Sequence, residues 1–175
     1  MDFAFDQTYL IAKTTDQAAA FLQRWADVPV SIVLPRLNET PLWYWMDQDR
    51  YYGVTVSHCS PLEHALKAGY DRVMIFEDDA ELVTEPAPLP STWELLLFGG
   101  QPRATEPFLD QWHICVAALN THAYAVQGSK AMRLMLHTWK HACKACDTYL
   151  PFFCQVLETY IHVPECIRQC QRKFT

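Results

Sequence analysis

The sequence predicts an α/β protein with a mixed, partly parallel central sheet flanked by helices, in one domain over residues 1–175. Apolar runs of strand length alternate with segments whose apolar residues recur at helical spacing, which is typical of this class. Half of the residues are apolar and 19% are charged, a balance that favours a packed core over a disordered chain. A chain of 175 residues needs neither a metal nor a disulfide to form such a core.

The predicted elements alternate along the chain. We expect strands over residues 9–11, 30–34, 72–76, 95–98, 114–119 and 123–126. We expect helices after the cap candidates at 14–16, and over 60–69, 129–143 and 149–160. The capping box Ser60-Pro61-Leu62-Glu63 predicts that the second helix begins at Ser60, and Gly69 should end it. Aromatic residues between 35 and 53 predict a long loop over a binding surface, where the rings either stack on sugar or anchor the loop.

Charge and composition exclude several classes of function. The net charge of −6 disfavours a nucleic-acid partner, because the phosphate backbone attracts basic proteins. The acidic N-terminus does not resemble a signal peptide, and no apolar stretch has the length of a membrane span, so we expect a soluble, cytoplasmic protein. The seven cysteines are an odd number without an export signal, so we expect mostly reduced, buried thiols.

Three consecutive carboxylates, Glu77-Asp78-Asp79, directly follow the apolar strand at residues 72–76. Ligands of open α/β sheets bind at the carboxyl ends of the strands. Carboxylates this close raise one another's pKa unless a cation neutralises them, and oxygen ligands suit Mn²⁺ or Mg²⁺. Side chains alternate along an extended chain, so Glu77 and Asp79 should project together as the metal pair. The other interpretation of such a run is a solvated acidic turn.

Several motifs follow one another in a characteristic order between residues 53 and 150. They are the run from Gly53 to Ser57-His58, the strand ending in Glu-Asp-Asp, the segment from Trp93-Glu94 to Gly99, the Ala123-Tyr124 strand with its following helix, and Asp147. This order resembles glycosyltransferase family 25, which includes lipopolysaccharide and collagen galactosyltransferases.

The resemblance implies a GT-A-like fold and metal-assisted transfer of a sugar, with inversion, from a nucleotide-sugar donor that is usually a UDP-sugar. The acceptor hydroxyl would belong to a glycan, a lipid-linked group or a protein. The same resemblance assigns donor binding to Ser57, His58, Asp78 and Tyr124. By this resemblance His58 contacts phosphate or orients a carboxylate; the alternative is a histidine that packs near the cap of the helix at Ser60.

Inversion also requires a base within hydrogen-bond reach of the acceptor hydroxyl. Asp147 and Glu94 are the two candidates. We prefer Asp147, because Glu94 begins an apolar strand and so lies away from the ligand edge if that strand is parallel to its neighbours. The structural alternatives are a helix cap for Asp147 and a surface position for Glu94.

Two further features leave alternatives open. His162 is either a late metal ligand or a structural histidine of a strand. Cys143-x-x-Cys146 and Cys166-x-x-x-Cys170, with His137 and His141 upstream, either bind zinc or are ordinary buried thiols. If the cysteines bind zinc, the chain is a zinc-stabilised interaction domain. A further alternative function is a catalytically inactive glycosyltransferase-like binding or regulatory module.

Overall fold

The structure is a computed structural model that describes residues 5–26, 28–35 and 40–170. Its strands are β1 (Gln7–Ile11), β2 (Ser31–Val33), β3 (Arg72–Glu77), β4 (Ala80–Leu82), β5 (Leu95–Leu97), β6 (Gln101–Leu109), β7 (Trp112–Leu119), β8 (Ala123–Gln127), β9 (Thr159–His162) and β10 (Ile167–Gln169). Its helices are α1 (Thr15–Arg24), α2 (Asp49–Ala68), α3 (Ser129–Lys140) and α4 (Leu150–Val156), and a 3₁₀ turn spans Cys146–Tyr149. No helix among the described residues is long and apolar enough to span a membrane.

The central sheet has eight strands in the order β2-β1-β3-β8-β5-β9-β7-β6. Strands β2, β1 and β3 pair in parallel, β8 runs antiparallel to both β3 and β5, and β5 pairs in parallel with β9. Strands β2, β1, β3, β5 and β9 therefore point the same way, and their carboxyl ends form one edge, called here the carboxyl edge. This confirms the predicted mixed, partly parallel α/β sheet.

Both faces of the sheet are covered, because successive side chains of a strand point to opposite sides. In β3, Ile75 belongs to the cluster that includes the apolar residues of α2, α3 and α4. Its neighbour Phe76 belongs to the opposite cluster, where its ring packs against Phe21 and Trp25 of the α1 region. Thr14 caps α1 by accepting a hydrogen bond from the backbone N–H of Gln17, as predicted.

The predicted start of the second helix at Ser60 is wrong. Helix α2 begins at Asp49 and contains Pro61 in its interior. Three buried residues upstream of the proline, Tyr52, Val56 and Cys59, recur at helical spacing and face the core. Burial of this stripe outweighs the hydrogen bond that proline cannot donate. The predicted end is confirmed, since Gly69 adopts the left-handed conformation with φ 78°.

The predicted helix over residues 149–160 is correct only in its first half. Helix α4 ends at Val156, and Thr159 begins β9, which pairs with β5 and β7 inside the sheet. All four residues of β9 are buried. A short, fully buried strand has no alternation to distinguish it from the end of a buried helix.

Candidate functional site

A cleft of about 440 Å³ opens at the carboxyl edge of the sheet. Glu77, the last residue of β3, lines it together with Asp79 and Asp147. Lys13, which follows β1, is the basic residue among the described residues that line the cleft. The remaining lining residues are Asp47, Tyr51, Val54, Asn120, Thr121, Ala145, Cys146, Thr148 and Gln169.

The carboxylate of Glu77 is held by side chains from two other elements. The Thr121 hydroxyl donates a hydrogen bond to Oε1 of Glu77 at 2.8 Å. Nε2 of the fully buried His58 lies 3.3 Å from the same oxygen. The opposite ring nitrogen of His58, Nδ1, lies 3.0 Å from the hydroxyl of Tyr124. Helix α2 and the segment before strand β8 thus fix the orientation of Glu77, and both contacts use Oε1 rather than Oε2.

These contacts also set the charge of Glu77. Burial alone would raise its pKa, but the close approach of His58 Nε2 and the Thr121 hydrogen bond outweigh burial and lower the pKa to about 2. Glu77 is therefore ionised at neutral pH. An anion kept at a sheet edge beside other carboxylates is suited to binding a cation.

The lowered pKa of Glu77 predicts a dependence of stability on pH. A folded-state pKa of about 2 against an ordinary 4.5 stabilises the fold above pH 4.5, and this contribution is lost as the pH falls toward 2. It amounts to on the order of 3 kcal/mol. We expect the free energy of unfolding, measured by urea titration, to fall less over this range in Glu77→Gln than in the unchanged protein. Glu81→Gln is the control, and an identical decline in all three proteins would contradict the proposed anchoring.

Asp78 and Asp79 diverge, as the alternation of side chains predicts. Oδ2 of Asp78 accepts a hydrogen bond from the backbone N–H of Lys13 at 3.1 Å, and its carbonyl oxygen accepts one from Arg24 at 2.9 Å. Asp79 lines the cleft, where its Oδ2 accepts a hydrogen bond from the Gln169 amide at 3.2 Å. Asp78 thus ties β1 and α1 to the acidic turn, while Glu77 and Asp79 share the cleft.

Asp147 lies across the cleft from the acidic turn, in the 3₁₀ turn before α4. Burial raises its pKa, and the negative charge of Glu77 raises it further. The nearby carboxylate of Asp47 acts in the same direction and also accepts a hydrogen bond from the backbone N–H of Ala145 at 3.3 Å. A half-buried carboxylate with a raised pKa has the properties of a general base.

The residues predicted to bind the donor are less exposed than expected. Ser57, His58 and Asp78 line a small cavity of about 50 Å³ that shares Glu77 and Asp79 with the main cleft. Ser57 donates its hydroxyl hydrogen bond to the carbonyl oxygen of Gly53 at 2.6 Å. Tyr124 and His58 are both fully buried. The structure therefore places His58 on the buried side of Glu77, and Tyr124 contacts the far nitrogen of the His58 ring.

Glu94 lies at the opposite end of the sheet. Strand pairing puts Leu95 level with Val73, so Glu94 is level with Arg72, five residues from Glu77. At ~3.3 Å per residue this is a separation of about 16 Å along the strand direction. Its Oε2 accepts a hydrogen bond from the backbone N–H of Glu158 at 3.0 Å. Strand β5 is parallel to β3, as the preference for Asp147 assumed.

His162 is not brought to the carboxylates. Its Nε2 accepts a hydrogen bond from the backbone N–H of Ala87 at 3.1 Å, and its Nδ1 lies 2.7 Å from the carbonyl oxygen of Pro164. Burial lowers its pKa, and its ring packs edge-on against Trp112. With both ring nitrogens bonded to backbone groups, His162 has a structural role in place of the predicted metal ligation.

The cysteines of the suggested zinc site are separated. Cys143 lies 3.4 Å from the Tyr149 hydroxyl, Cys146 lies 3.7 Å from Thr121, and Cys166 donates to the carbonyl oxygen of Phe98. Cys170 is exposed, and all seven cysteines are free thiols. Within residues 5–26, 28–35 and 40–170, no group of three or more His, Cys, Asp and Glu side chains is placed to hold a metal ion.

Among the cleft residues that sequence reasoning missed are Asp47, Thr121 and Lys13. Asp47 stands among the aromatic residues before α2, Thr121 precedes β8, and Lys13 follows β1. Lys13 and Thr121 adjoin the carboxyl edge, so the strand pattern alone could have indicated both. Asp47 is held at the cleft by contacts between distant segments, the Met46–Cys143 backbone bond and its own bond to Ala145, which no local pattern reveals.

No protein-family model matches the chain, and no curated protein matches it in sequence. Solved structures resemble it in fold at low identity. A glycosyltransferase involved in the glycosylation of the major capsid of PBCV-1 has a TM-score of 0.50 at 10% identity, covering 90% of this chain and 83% of that chain. A nucleoside-diphosphate-sugar pyrophosphorylase from Vibrio cholerae RC9 has a TM-score of 0.47 at 14% identity, covering 94% and 77%. A mutant Drosophila galactosyltransferase 7, in complex with manganese, UDP-Gal and xylobiose, has a TM-score of 0.43 at 12% identity, covering 96% and 72%.

The likeness to the PBCV-1 enzyme shows the fold. The chain shares the GT-A-like α/β fold of that glycosyltransferase. The resemblance to glycosyltransferase family 25 remains a prediction from the motifs.

Proposed function

We propose that this chain is a metal-dependent glycosyltransferase. It transfers a sugar from a nucleotide-sugar donor, a UDP-sugar by the family resemblance, to an acceptor hydroxyl with inversion. The observation that supports this most is the arrangement of the cleft, in which an anchored, ionised Glu77 and Asp79 face Asp147 on the GT-A-like fold.

The carboxylate oxygens of the cleft fit a hard divalent cation as ligands. Glu77 and Asp79 offer oxygen ligands from the end of one strand, and Mg²⁺ is commonly bound by one or two carboxylates plus substrate phosphates and water. A third protein ligand is not required for such a site. Mn²⁺ or Mg²⁺ held there would stabilise the negative charge that develops on the diphosphate leaving group. Lys13 adds a positive charge in the same cleft for the phosphates.

Asp147 would act on the acceptor. Its carboxylate would accept the proton of the attacking hydroxyl, and its raised pKa brings it closer to the working pH, where a general base is most effective. The neighbouring neutral groups of Tyr51, Asn120 and Thr148 provide the hydrogen-bonding partners that a glycan or other hydroxyl acceptor needs. Hydrogen bonds to hydroxyls would orient the acceptor without adding charge to an acidic cleft.

The proposal predicts that donor binding depends on metal. A nucleotide sugar at about 100 times its Kd, with Mn²⁺ present, should stabilise the fold by about 2.7 kcal/mol. We expect this in a thermal-shift panel of nucleotide sugars, with release of nucleoside diphosphate measured in parallel. Equal stabilisation in excess chelator would exclude the metal role. Stabilisation without nucleoside diphosphate release, with any acceptor offered, would instead identify an inactive binding module.

A further inference from the structure

Two buried thiols lie side by side away from the cleft. The sulfur atoms of Cys115 on β7 and Cys154 on α4 are 3.4 Å apart, within hydrogen-bond distance. A covalent S–S bond is about 2.05 Å long, so the two sulfurs need to approach by only about 1.4 Å. We propose that Cys115 and Cys154 are a site of reversible disulfide formation that reacts with small hydroperoxides.

The surroundings favour Cys154 as the thiol that reacts first. Its side chain is 8% exposed against 1% for Cys115, so an oxidant meets Cys154 first. The hydrogen bond with Cys115 lowers the pKa of Cys154, while burial acts in the opposite direction. Only the thiolate is the nucleophile, so the lowered pKa favours attack by Cys154.

The reaction balances with hydrogen peroxide as the oxidant. The Cys154 thiolate attacks one peroxide oxygen, the O–O bond breaks, and hydroxide leaves, which gives a sulfenic acid. The Cys115 thiol then attacks the Cys154 sulfur and gives up its proton as the S–S bond forms. The S–O bond breaks, and the departing hydroxide takes that proton to form water. Two thiols lose two electrons in total and the peroxide gains them. A thiol reductant reverses the step.

The disulfide would join positions 39 residues apart and tie helix α4 to the sheet. Such a crosslink restricts the unfolded chain, so oxidation should raise the Tm by about 5 to 10 °C. Helix α4 continues directly from the turn that carries Asp147. The crosslink would therefore restrain one wall of the cleft.

The test treats the full chain with hydrogen peroxide, blocks free thiols under denaturing conditions and maps peptides without reduction. We expect a Cys115–Cys154 crosslink, two fewer free thiols and the higher Tm, all reversed by dithiothreitol. In Cys115→Ser the crosslink should be absent, and a dione reagent should trap the Cys154 sulfenic acid.

Cys166→Ser is the matched control, because Cys166 is equally buried but bonded to the carbonyl oxygen of Phe98 at 3.1 Å. It should retain both the crosslink and the Tm rise. Should Cys115 and Cys154 both remain thiols in the native protein under conditions that oxidise exposed Cys170, the proposal is overturned. Crosslinks that form only after the protein has unfolded would overturn it as well.

Discussion

Replacing Asp79 with asparagine is expected to reduce sugar transfer at least about a thousandfold, measured as nucleoside diphosphate released in the presence of Mn²⁺. A metal contributes several kcal/mol to stabilising a charged leaving group, and each ~1.4 kcal/mol is a factor of ten in rate. Asparagine keeps an oxygen that can accept the hydrogen bond from Gln169, so the acidic turn should fold normally. Removing one of several close carboxylates should leave metal-free stability unchanged or slightly higher.

The control for Asp79→Asn is Glu81→Gln. Glu81 lies two residues further along the chain and pairs with Arg168 at the surface, outside the cleft. It tests whether removing any nearby negative charge has the same effect, and exposed ion pairs contribute little to stability. We expect Glu81→Gln to transfer sugar normally. Normal turnover in Asp79→Asn would show that this carboxylate does not hold the metal.

Strand β3 and its direction could be predicted because the signal is local. The run at residues 72–76 is apolar and ends in three carboxylates, which places the acids at a strand's carboxyl end without knowledge of any partner strand. Within the described residues, β3 ends at Glu77 as that interpretation requires. The alternation that separates Asp78 from its two neighbours is equally local.

Other elements depend on partners distant in the sequence. Strand β6 is almost entirely exposed and carries two prolines, so it has neither an apolar run nor an alternating pattern. It forms because β7 pairs with it along its whole length. Strand β10 has three residues and is positioned by β4 and by the close approach of Gly99, where a Cβ would collide with the carbonyl oxygen of Ile167. Such contacts leave no pattern in either segment alone.

The roles of His58 and His162 also depend on contacts with residues that are distant in the sequence. Resemblance predicted that His58 contacts phosphate or orients a carboxylate, and its buried ring lies between Tyr124 and Glu77. Resemblance cannot distinguish a residue that touches a ligand from one that orients the carboxylate beside it. His162 lies at the end of a strand, as its sequence context indicates. Its two ring nitrogens, however, contact the backbone N–H of Ala87 and the carbonyl oxygen of Pro164.

Asp147→Asn is expected to bind donor and metal nearly normally and to transfer sugar about 10² to 10⁴ times more slowly. The carboxylate accepts hydrogen bonds from backbone N–H groups at the start of the 3₁₀ turn, which lower its pKa against the dominant effect of burial. Asp147 is not the predicted helix cap, because the N-cap of the 3₁₀ turn is Ala145. Asparagine keeps a side-chain oxygen that can accept the same backbone hydrogen bonds, so the substitution removes the base and preserves these bonds. A kcat decrease with unchanged donor affinity is the signature of an interaction made in the transition state.

Two control variants separate the base from its surroundings. Asp47→Asn removes a charge that raises the pKa of Asp147 but keeps an acceptor for the Ala145 N–H. We therefore expect a small change in rate, with the acidic limb of the pH profile shifted to lower pH. Glu94→Gln changes a residue that lies about 16 Å from Glu77 along the strand direction, and this variant should transfer sugar normally. If Asp147→Asn loses stability yet keeps its turnover per folded molecule, Asp147 has only a structural role in the 3₁₀ turn. A large loss in Asp47→Asn under those conditions would move the assignment of the base to Asp47, the next carboxylate on the same wall of the cleft.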